Sequence, residues 1–341
     1  MHTNRNTTGS TSREGRIERV SYYTGSTARV GTSTAEIRLR EGVSRAHRVG
    51  VAIGLVVLAL VCGGLMLAVY WAFVRTYSGQ VVDVSAWRGA FLGRPMVSML
   101  LSWLKDIFPI LFGIIIVGAI ITVLVVTLRR RRIELLLAAA VLVGGSLGTT
   151  ELLKHVVLPR PDFGIDGMTF NSLPSGHTTA AASIAVAVVL VVPPVLRVAA
   201  ALVGGLFAVL IGIGTLAVGW HRPSDVIAGY IVVAGWTALV TAFSQLRQPV
   251  VRDRGKAVRC RNGIPTNVLA WMLLVAAFVA GGIAVIMLGE THLRADPLNS
   301  QDSLLMAYGG GVAGSASAAA ATFALALALA PVAGRSPTLE D

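Results

Sequence analysis

Three short stretches of the 341-residue chain carry side chains that could bind a phosphate group or react with it. The first, KHVVLPRPDF, contains the cations Lys154 and Arg160. Arginine can bind phosphate through two parallel hydrogen bonds, and lysine acts as a point charge. The second, LPSGHTT, places Ser175 and Gly176 just before an apolar run, where the backbone N–H groups of a helix start favour anions. Both stretches therefore predict phosphate binding.

The third stretch, GWHRPSDV, has the spacing of a histidine held by a carboxylate. His221 and Asp225 are four residues apart, and Pro223 and Ser224 between them are typical of a helix start. In that arrangement Asp225 can accept a hydrogen bond from one imidazole nitrogen while the other faces the substrate. The pattern predicts an oriented nucleophile or base, and the neighbouring Arg222 is a further candidate cation.

The elements that position these residues are predicted to be membrane helices. The chain is 54% hydrophobic and 13% charged, with a mean hydropathy of +0.72, whereas soluble domains are roughly 45–50% apolar and about 25% charged. This composition excludes a soluble globular enzyme and a disordered chain. A net charge of +12 would suggest nucleic acid in a soluble protein, but basic residues also collect in cytoplasmic loops of membrane proteins. We therefore expect a membrane setting and no nucleic-acid partner.

The hydropathy pattern predicts an all-α integral-membrane bundle of about eight spans, each of roughly 20 apolar residues. Small residues in the third and eighth predict that these two pack inside the bundle and do not face lipid. The spans lie near 51–74, 107–128, 133–153, 177–196, 198–219, 224–246, 267–288 and 304–330.

Charge asymmetry predicts the orientation of these spans. If the N-terminus is cytoplasmic, an even number of spans places 21 of the 29 Lys and Arg residues on the cytoplasmic side. The chain is then a multi-pass protein of the cytoplasmic membrane with both termini in the cytoplasm. Residues 154–176 and 220–224 lie together on its outer face.

The domain organisation follows from the same pattern. Residues 50–246 are predicted to form a six-span unit that carries all three stretches, and two more spans follow. The predicted segments are a disordered basic cytoplasmic tail at 1–49, the six-span domain at 50–246, a basic cytoplasmic loop at 247–266, two additional spans at 267–331 and a cytoplasmic tail at 332–341.

The three stretches together resemble the type-2 phosphatidic acid phosphatase superfamily, integral-membrane lipid phosphatases that share a histidine-based active site with vanadium haloperoxidases. Its motifs are a Lys and an Arg-Pro about six residues apart, P-S-G-H, and S-R-x5-H-x3-D. P-S-G-H is present at 174–177 and H-x3-D at His221 and Asp225, followed by V-I-A-G. Two departures exist: five residues separate Lys154 from Arg160, and Thr215 stands where the third motif has its arginine.

The resemblance implies a phosphatase that needs neither metal nor cofactor. In it His221 attacks phosphorus, Asp225 holds its imidazole, and His177 protonates the leaving alkoxide before water cleaves the phosphohistidine. Lys154, Arg160, Ser175 and Gly176 bind the phosphate in this scheme. Arg222 is a candidate replacement for the missing arginine.

The substrate class and two rival functions are left open by the sequence. A lipid monophosphate or diphosphate is expected, and polyprenyl, phosphatidate, phosphatidylglycerol and sugar-linked forms all fit. One alternative is a scaffold or lipid-binding protein with a decayed site, because Thr215 replaces arginine. The other is a lipid transporter, suggested by the number of spans alone. A metallohydrolase is disfavoured because no H-E-x-x-H or comparable ligand cluster occurs.

Overall fold

The computed structural model describes residues 34–92, 94–129, 131–165, 170–247, 265–294 and 296–333. These residues form nine α-helices and no strand. In chain order the helices are α1 (Thr34–Val74), α2 (Tyr77–Leu92), α3 (Arg94–Arg129), α4 (Ile133–Leu152), α5 (Gly176–Val191), α6 (Arg197–Ala217), α7 (Pro223–Arg247), α8 (Thr266–Leu293) and α9 (Gln301–Ala333).

Seven of the described helices are long and apolar enough to cross a membrane, which confirms the all-α membrane bundle. The fourth predicted span is shorter than expected: α5 has 16 residues, about 24 Å at 1.5 Å per residue. It begins after the capping residue Ser175 and ends before Pro193 and Pro194, which stop a helix. The connections α4–α5 and α6–α7 lie at the same end of the bundle. Helix α5 therefore still runs from this end of the bundle to the opposite one.

The segments before the first predicted span and between the first two are more helical than expected. Helix α1 begins at Thr34 and not near residue 51, so residues 34–49 of the predicted disordered tail are helical. The segment between the first two predicted spans, for which no helix was predicted, holds α2, and α3 already begins at Arg94. Helix α2 lacks a span-length apolar run, which is why hydropathy missed it. Residues 1–33 of the predicted N-terminal tail, 248–264 of the predicted 247–266 loop and 334–341 of the predicted C-terminal tail lie outside the described residues.

The chain divides into two compact units, Met1–Gly42, of which the structure describes only the start of α1, and Val43–Asp341. The larger unit contains the main apolar core, formed by buried residues of α4, α5, α6, α7 and α9 together with Val123 of α3 and Leu269 of α8. Helix α9 lies inside the bundle, as its small residues predicted, and packs against α2, α5, α6 and α7. The terminal helices, predicted as additional to the six-span domain, therefore share its core.

Helix α4 departs from the prediction that it lies inside the bundle. It buries one stripe that includes Leu135, Ala139 and Leu142, while Leu137 and Val141 on its other side are exposed. A helix that is apolar on all sides can face lipid with the side that packs against no neighbour, so its composition alone did not distinguish the two positions.

Candidate active site

The three predicted stretches meet at one end of the bundle. The first lies in a π-helical turn, Leu153–Val157, that continues α4, the second starts α5, and the third joins α6 to α7. The backbone N–H of Ser175 donates to the carbonyl of Asp225 at 2.9 Å, which ties the second stretch to the third. The ring centroids of His177 and His221 are 6.2 Å apart. Two histidines from different helices thus face the same small space.

One carboxylate oxygen holds His221 in place. Asp225 Oδ2 lies 3.2 Å from His221 Nδ1 and also accepts hydrogen bonds from the Arg222 backbone N–H at 2.9 Å and the Ser172 hydroxyl at 2.6 Å. Asp225 is 1% exposed and His221 is 9% exposed. Because Nδ1 faces the carboxylate, Nε2 is the nitrogen available to a substrate. The predicted spacing thus produces the predicted contact.

A tight turn between α6 and α7 aims His221 at this space. Gly219 has a φ of +76°, a conformation that costs glycine little and other residues more. The carbonyl of Thr215 accepts from the backbone N–H groups of Trp220 and His221. The Thr215 side chain is fully buried, and its hydroxyl donates to the Gly212 carbonyl. An arginine at position 215 would have to displace the core around it.

The predicted cations lie on different sides of the site. Lys154 Nζ is 3.8 Å from Glu151 Oε1 and close to Gly176 at the start of α5. Arg160 is half-buried; burial, and secondarily the charge of Arg222, lower its pKa to about 10, so it stays protonated at neutral pH. Arg222 is 1% exposed, and its Nη1 donates to the Ser172 hydroxyl at 3.4 Å.

Ser175 lies at the start of α5, as predicted, but its backbone N–H has a different partner from the predicted one. Its N–H is taken by the Asp225 carbonyl, and its hydroxyl caps α5 by accepting from the backbone and hydroxyl of Thr178. The prediction that Ser175 offers its N–H to phosphate is therefore wrong, because that group already joins two loops. Gly176, the first residue of α5, is partly exposed beside Lys154.

Three further side chains reach the site without having been predicted. Ser172 bonds Asp225 as described, Gln80 Oε1 accepts from Arg160 Nη2 at 2.9 Å, and Asp83 accepts from Ser224 in the first turn of α7. Burial and the charge of Asp225, opposed by Arg222, raise the pKa of Asp83 to about 6. Asp83 is the one acidic residue between Glu41 and Asp106. That isolation among apolar residues was the available signal.

Two polar residues of the first stretch, His155 and Asp162, lie at the periphery of the site. His155 is exposed and lies 3.2 Å from Glu151, and Asp162 accepts from the Gly164 N–H within its own loop. Among the described residues, no group of three or more His, Cys, Asp or Glu side chains is arranged to hold a metal ion.

Comparison with protein families identifies the part of the chain that carries the site. Residues 134–249 match the family described as the PAP2 superfamily. The matched residues run from the start of α4 to just beyond the end of α7, so the PAP2 region includes all three stretches but excludes α2, α3, α8 and α9. Neither a search of curated proteins nor one of solved structures found a match.

An apolar groove of about 210 Å³ lies on the same face of α5 as His177. Ile184, Ala185 and Val188 follow His177 at helical spacings of seven, eight and eleven residues, so they continue its face about 10–16 Å along the axis. Phe112 links the groove to the PAP2 site, with its ring 5.9 Å from His177 and 6.1 Å from Phe207. The groove is lined by Ile115, Ile116, Ala119 and Thr122 of α3, Ile184, Ala185 and Val188 of α5, and Ala200, Val203, Gly204 and Phe207 of α6.

Proposed function

We propose that the protein is a membrane lipid phosphatase that removes phosphate from a lipid phosphomonoester or diphosphate. The observation that carries the proposal is the pairing of His221 with Asp225 opposite His177, at the end of an apolar groove. The PAP2 match supports a phosphatase in general terms. The groove supports a lipid, because its lining is almost entirely hydrocarbon and its rim residues Ile115 and Val203 are exposed.

The proposed reaction proceeds in two displacements. Nε2 of His221 attacks phosphorus, the P–O bond to the lipid breaks, and His177 gives a proton to the leaving oxygen. Water then attacks the phosphohistidine, His177 accepts its proton, and inorganic phosphate leaves. Asp225 stabilises the positive imidazole in the intermediate. Phosphoryl transfer asks mainly for positioning and for positive charge near the equatorial oxygens, which Lys154 and Arg160 supply.

The position of the groove agrees with the role proposed for His177. A general acid lies beside the leaving group, and in this reaction the leaving group carries the lipid chain. His177 is the histidine from whose helix face the groove continues, whereas His221 lies across the site. A lipid whose chain follows the groove would place its ester oxygen next to His177 and its phosphorus next to His221.

We also propose that the site faces the outer side of the cytoplasmic membrane, with both termini in the cytoplasm. The support is the distribution of basic residues, 21 of 29 on the opposite side. The site lies at helix ends and not at mid-membrane, which suits a headgroup and disfavours a transporter. A scaffold with a decayed site is the rival that Thr215 suggests.

Release of inorganic phosphate by the full chain in detergent tests the function. The panel contains phosphatidate, lysophosphatidate, polyprenyl monophosphate and diphosphate, and phosphatidylglycerol phosphate, each with and without EDTA. We expect turnover of at least one lipid, undiminished by EDTA and absent from His221→Ala. Turnover of none, with correctly folded protein, would favour the scaffold. Loss with EDTA and rescue by a divalent ion would favour a metallohydrolase.

A further inference from the structure

Helix α2 contacts the site through one face, although it lies outside the PAP2 match. Gln80, Asp83 and Trp87 are spaced three and four residues apart, so their side chains share that face. Gln80 accepts from Arg160, Asp83 accepts from Ser224, and the Trp87 Nε1–H donates to the carbonyl of Gly219 at 2.8 Å. One helix thus holds the loop with the cation and both sides of the turn that carries His221.

Asp83 makes the closest of these contacts. Its Oδ2 accepts from the Ser224 hydroxyl at 2.6 Å and its Oδ1 from the Ser224 N–H at 3.2 Å. Ser224 lies in the first turn of α7, where backbone N–H groups have no partner within the helix. Asp83 is 1% exposed, so its carboxylate is shielded from water and depends on such partners. Asp83 therefore caps α7 from a different helix.

The charge of Asp83 also acts on Arg222. Asp83 and Asp225 each interact electrostatically with Arg222 and are stabilised by it, and they repel each other. Arg222 is 1% exposed, so water screens these interactions weakly. The contacts place both carboxylates near Arg222: the Ser172 hydroxyl accepts from Arg222 Nη1 and donates to Asp225 Oδ2, and Asp83 binds Ser224, two residues after Arg222. The attraction that Arg222 exerts on a phosphate is reduced by both carboxylates.

We propose that Asp83 is a positioning residue of the phosphatase site, which holds the first turn of α7 and offsets the charge of Arg222. The proposal rests on the proposed function for its effect on turnover. Its effect on phosphate binding does not depend on turnover. Helix α9 packs closely against α2 and holds it in place. The packing is so close at Gly89 of α2 that an added Cβ would clash with the Leu304 carbonyl of α9.

The two roles predict opposite effects of Asp83→Asn, which keeps the shape and removes the charge. Turnover should fall about 10- to 100-fold, the usual cost of losing a group that orients a reacting residue. Inorganic phosphate should bind several-fold more tightly, because Arg222 is no longer offset. Loss of structure alone would lower both turnover and the affinity for phosphate. A lower turnover together with a higher phosphate affinity therefore separates a positioning role from unfolding.

Three further variants complete the test. Ser224→Ala removes the hydroxyl that Asp83 binds but keeps both charges, so kcat should fall while phosphate affinity stays that of the wild type. Asp83→Asn with Arg222→Gln should lose the gain in phosphate affinity. Ser85→Ala is the matched control on α2, since its buried hydroxyl donates to the carbonyls of Val81 and Pro297, away from the site.

The deciding measurement is calorimetric titration of inorganic phosphate into each full-length variant in detergent, beside kcat and KM on the best lipid. Tighter phosphate binding by Asp83→Asn but not Ser85→Ala supports the proposal. Unchanged or weaker phosphate binding by Asp83→Asn overturns it. If Asp83→Asn does not fold, an unchanged kcat for Ser224→Ala overturns it instead. A wild type that binds phosphate but turns over no lipid contradicts the proposed function and leaves the phosphate comparison decisive for Asp83.

Discussion

Replacement of Asp225 by asparagine isolates the charge that supports the nucleophile. Within the described part of the chain, three hydrogen bonds from His221, Arg222 and Ser172 converge on one oxygen of this carboxylate, Oδ2. An asparagine whose carbonyl oxygen takes that position keeps all three and loses only the negative charge. Alanine would instead leave three buried donors without an acceptor, at about 1–3 kcal/mol each. Asparagine is therefore the informative change.

The cost to turnover follows from the 3.2 Å separation of His221 Nδ1 and Asp225 Oδ2. When His221 bonds to phosphorus its ring becomes positive, and at an effective dielectric of about 20 the carboxylate stabilises it by about 5 kcal/mol. A neutral hydrogen bond to asparagine recovers about 1–1.5 kcal/mol. The remaining 3.5–4 kcal/mol corresponds to a decrease in kcat of about 300- to 1,000-fold.

Steady-state phosphate release and thermal unfolding of the same preparations measure this. KM should change little, because the charge on His221 develops only in the transition state. The unfolding midpoint of Asp225→Asn should lie well above that of Asp225→Ala. A kcat within threefold of wild type would refute the reasoning, since Asp225 would then not stabilise the charged imidazole.

The remaining predictions concern the acid, the groove and the topology. His177→Ala should slow the transfer of phosphate to His221 by about 10²–10⁴-fold for a lipid ester and least for p-nitrophenyl phosphate, whose leaving group needs no proton; an equal loss in this step on both substrates would exclude the acid role. Ala119→Phe should fill the groove and exclude about three methylenes of the lipid, worth about 0.8 kcal/mol each, so kcat/KM for a long-chain lipid should fall about 50-fold. Turnover of p-nitrophenyl phosphate by this variant should be unaffected, as should lipid turnover by the lipid-facing control Val117→Phe. A similar loss on both substrates would contradict the groove assignment. A cysteine-free chain carrying Ile165→Cys should be labelled by an impermeant reagent in intact cells; labelling only after lysis would reverse the proposed orientation.

Much of the site was predictable because its residues lie at helix ends marked by local signals. His221 and Asp225 are four residues apart after a glycine turn, and Ser175 precedes an apolar run, so their contacts depend mainly on nearby sequence. Hydropathy also predicted which segments form the long apolar helices. Local sequence predicted that Ser175 lies at a helix start but not that its N–H would bond to the Asp225 carbonyl, because that partner comes from another helix.

The contribution of α2 could not be predicted in the same way. Its 16 residues lack a span-length apolar run, and Gln80 and Asp83 find partners about 80 and 141 positions further along the chain. Such pairings arise only when α9 packs α2 against α7, through close contacts at Gly89 and Gly311. Pro193, before which α5 ends, is present in the sequence. Because apolar residues lie on both sides of it, the hydropathy pattern still predicted a longer span.

The measurement that tests the proposed chemistry most directly is detection of the phosphorylated enzyme. Purified full-length protein is mixed with the best phosphorus-labelled lipid, quenched within the first turnover and assayed for protein-bound phosphate that is labile to acid and stable to base. We predict that the wild type carries this label, that the peptide bearing it contains His221, and that His221→Ala carries none while His177→Ala retains it with a good leaving group. A label on His221→Ala, or complete turnover with no labelled protein at any quench time, would contradict the phosphohistidine mechanism.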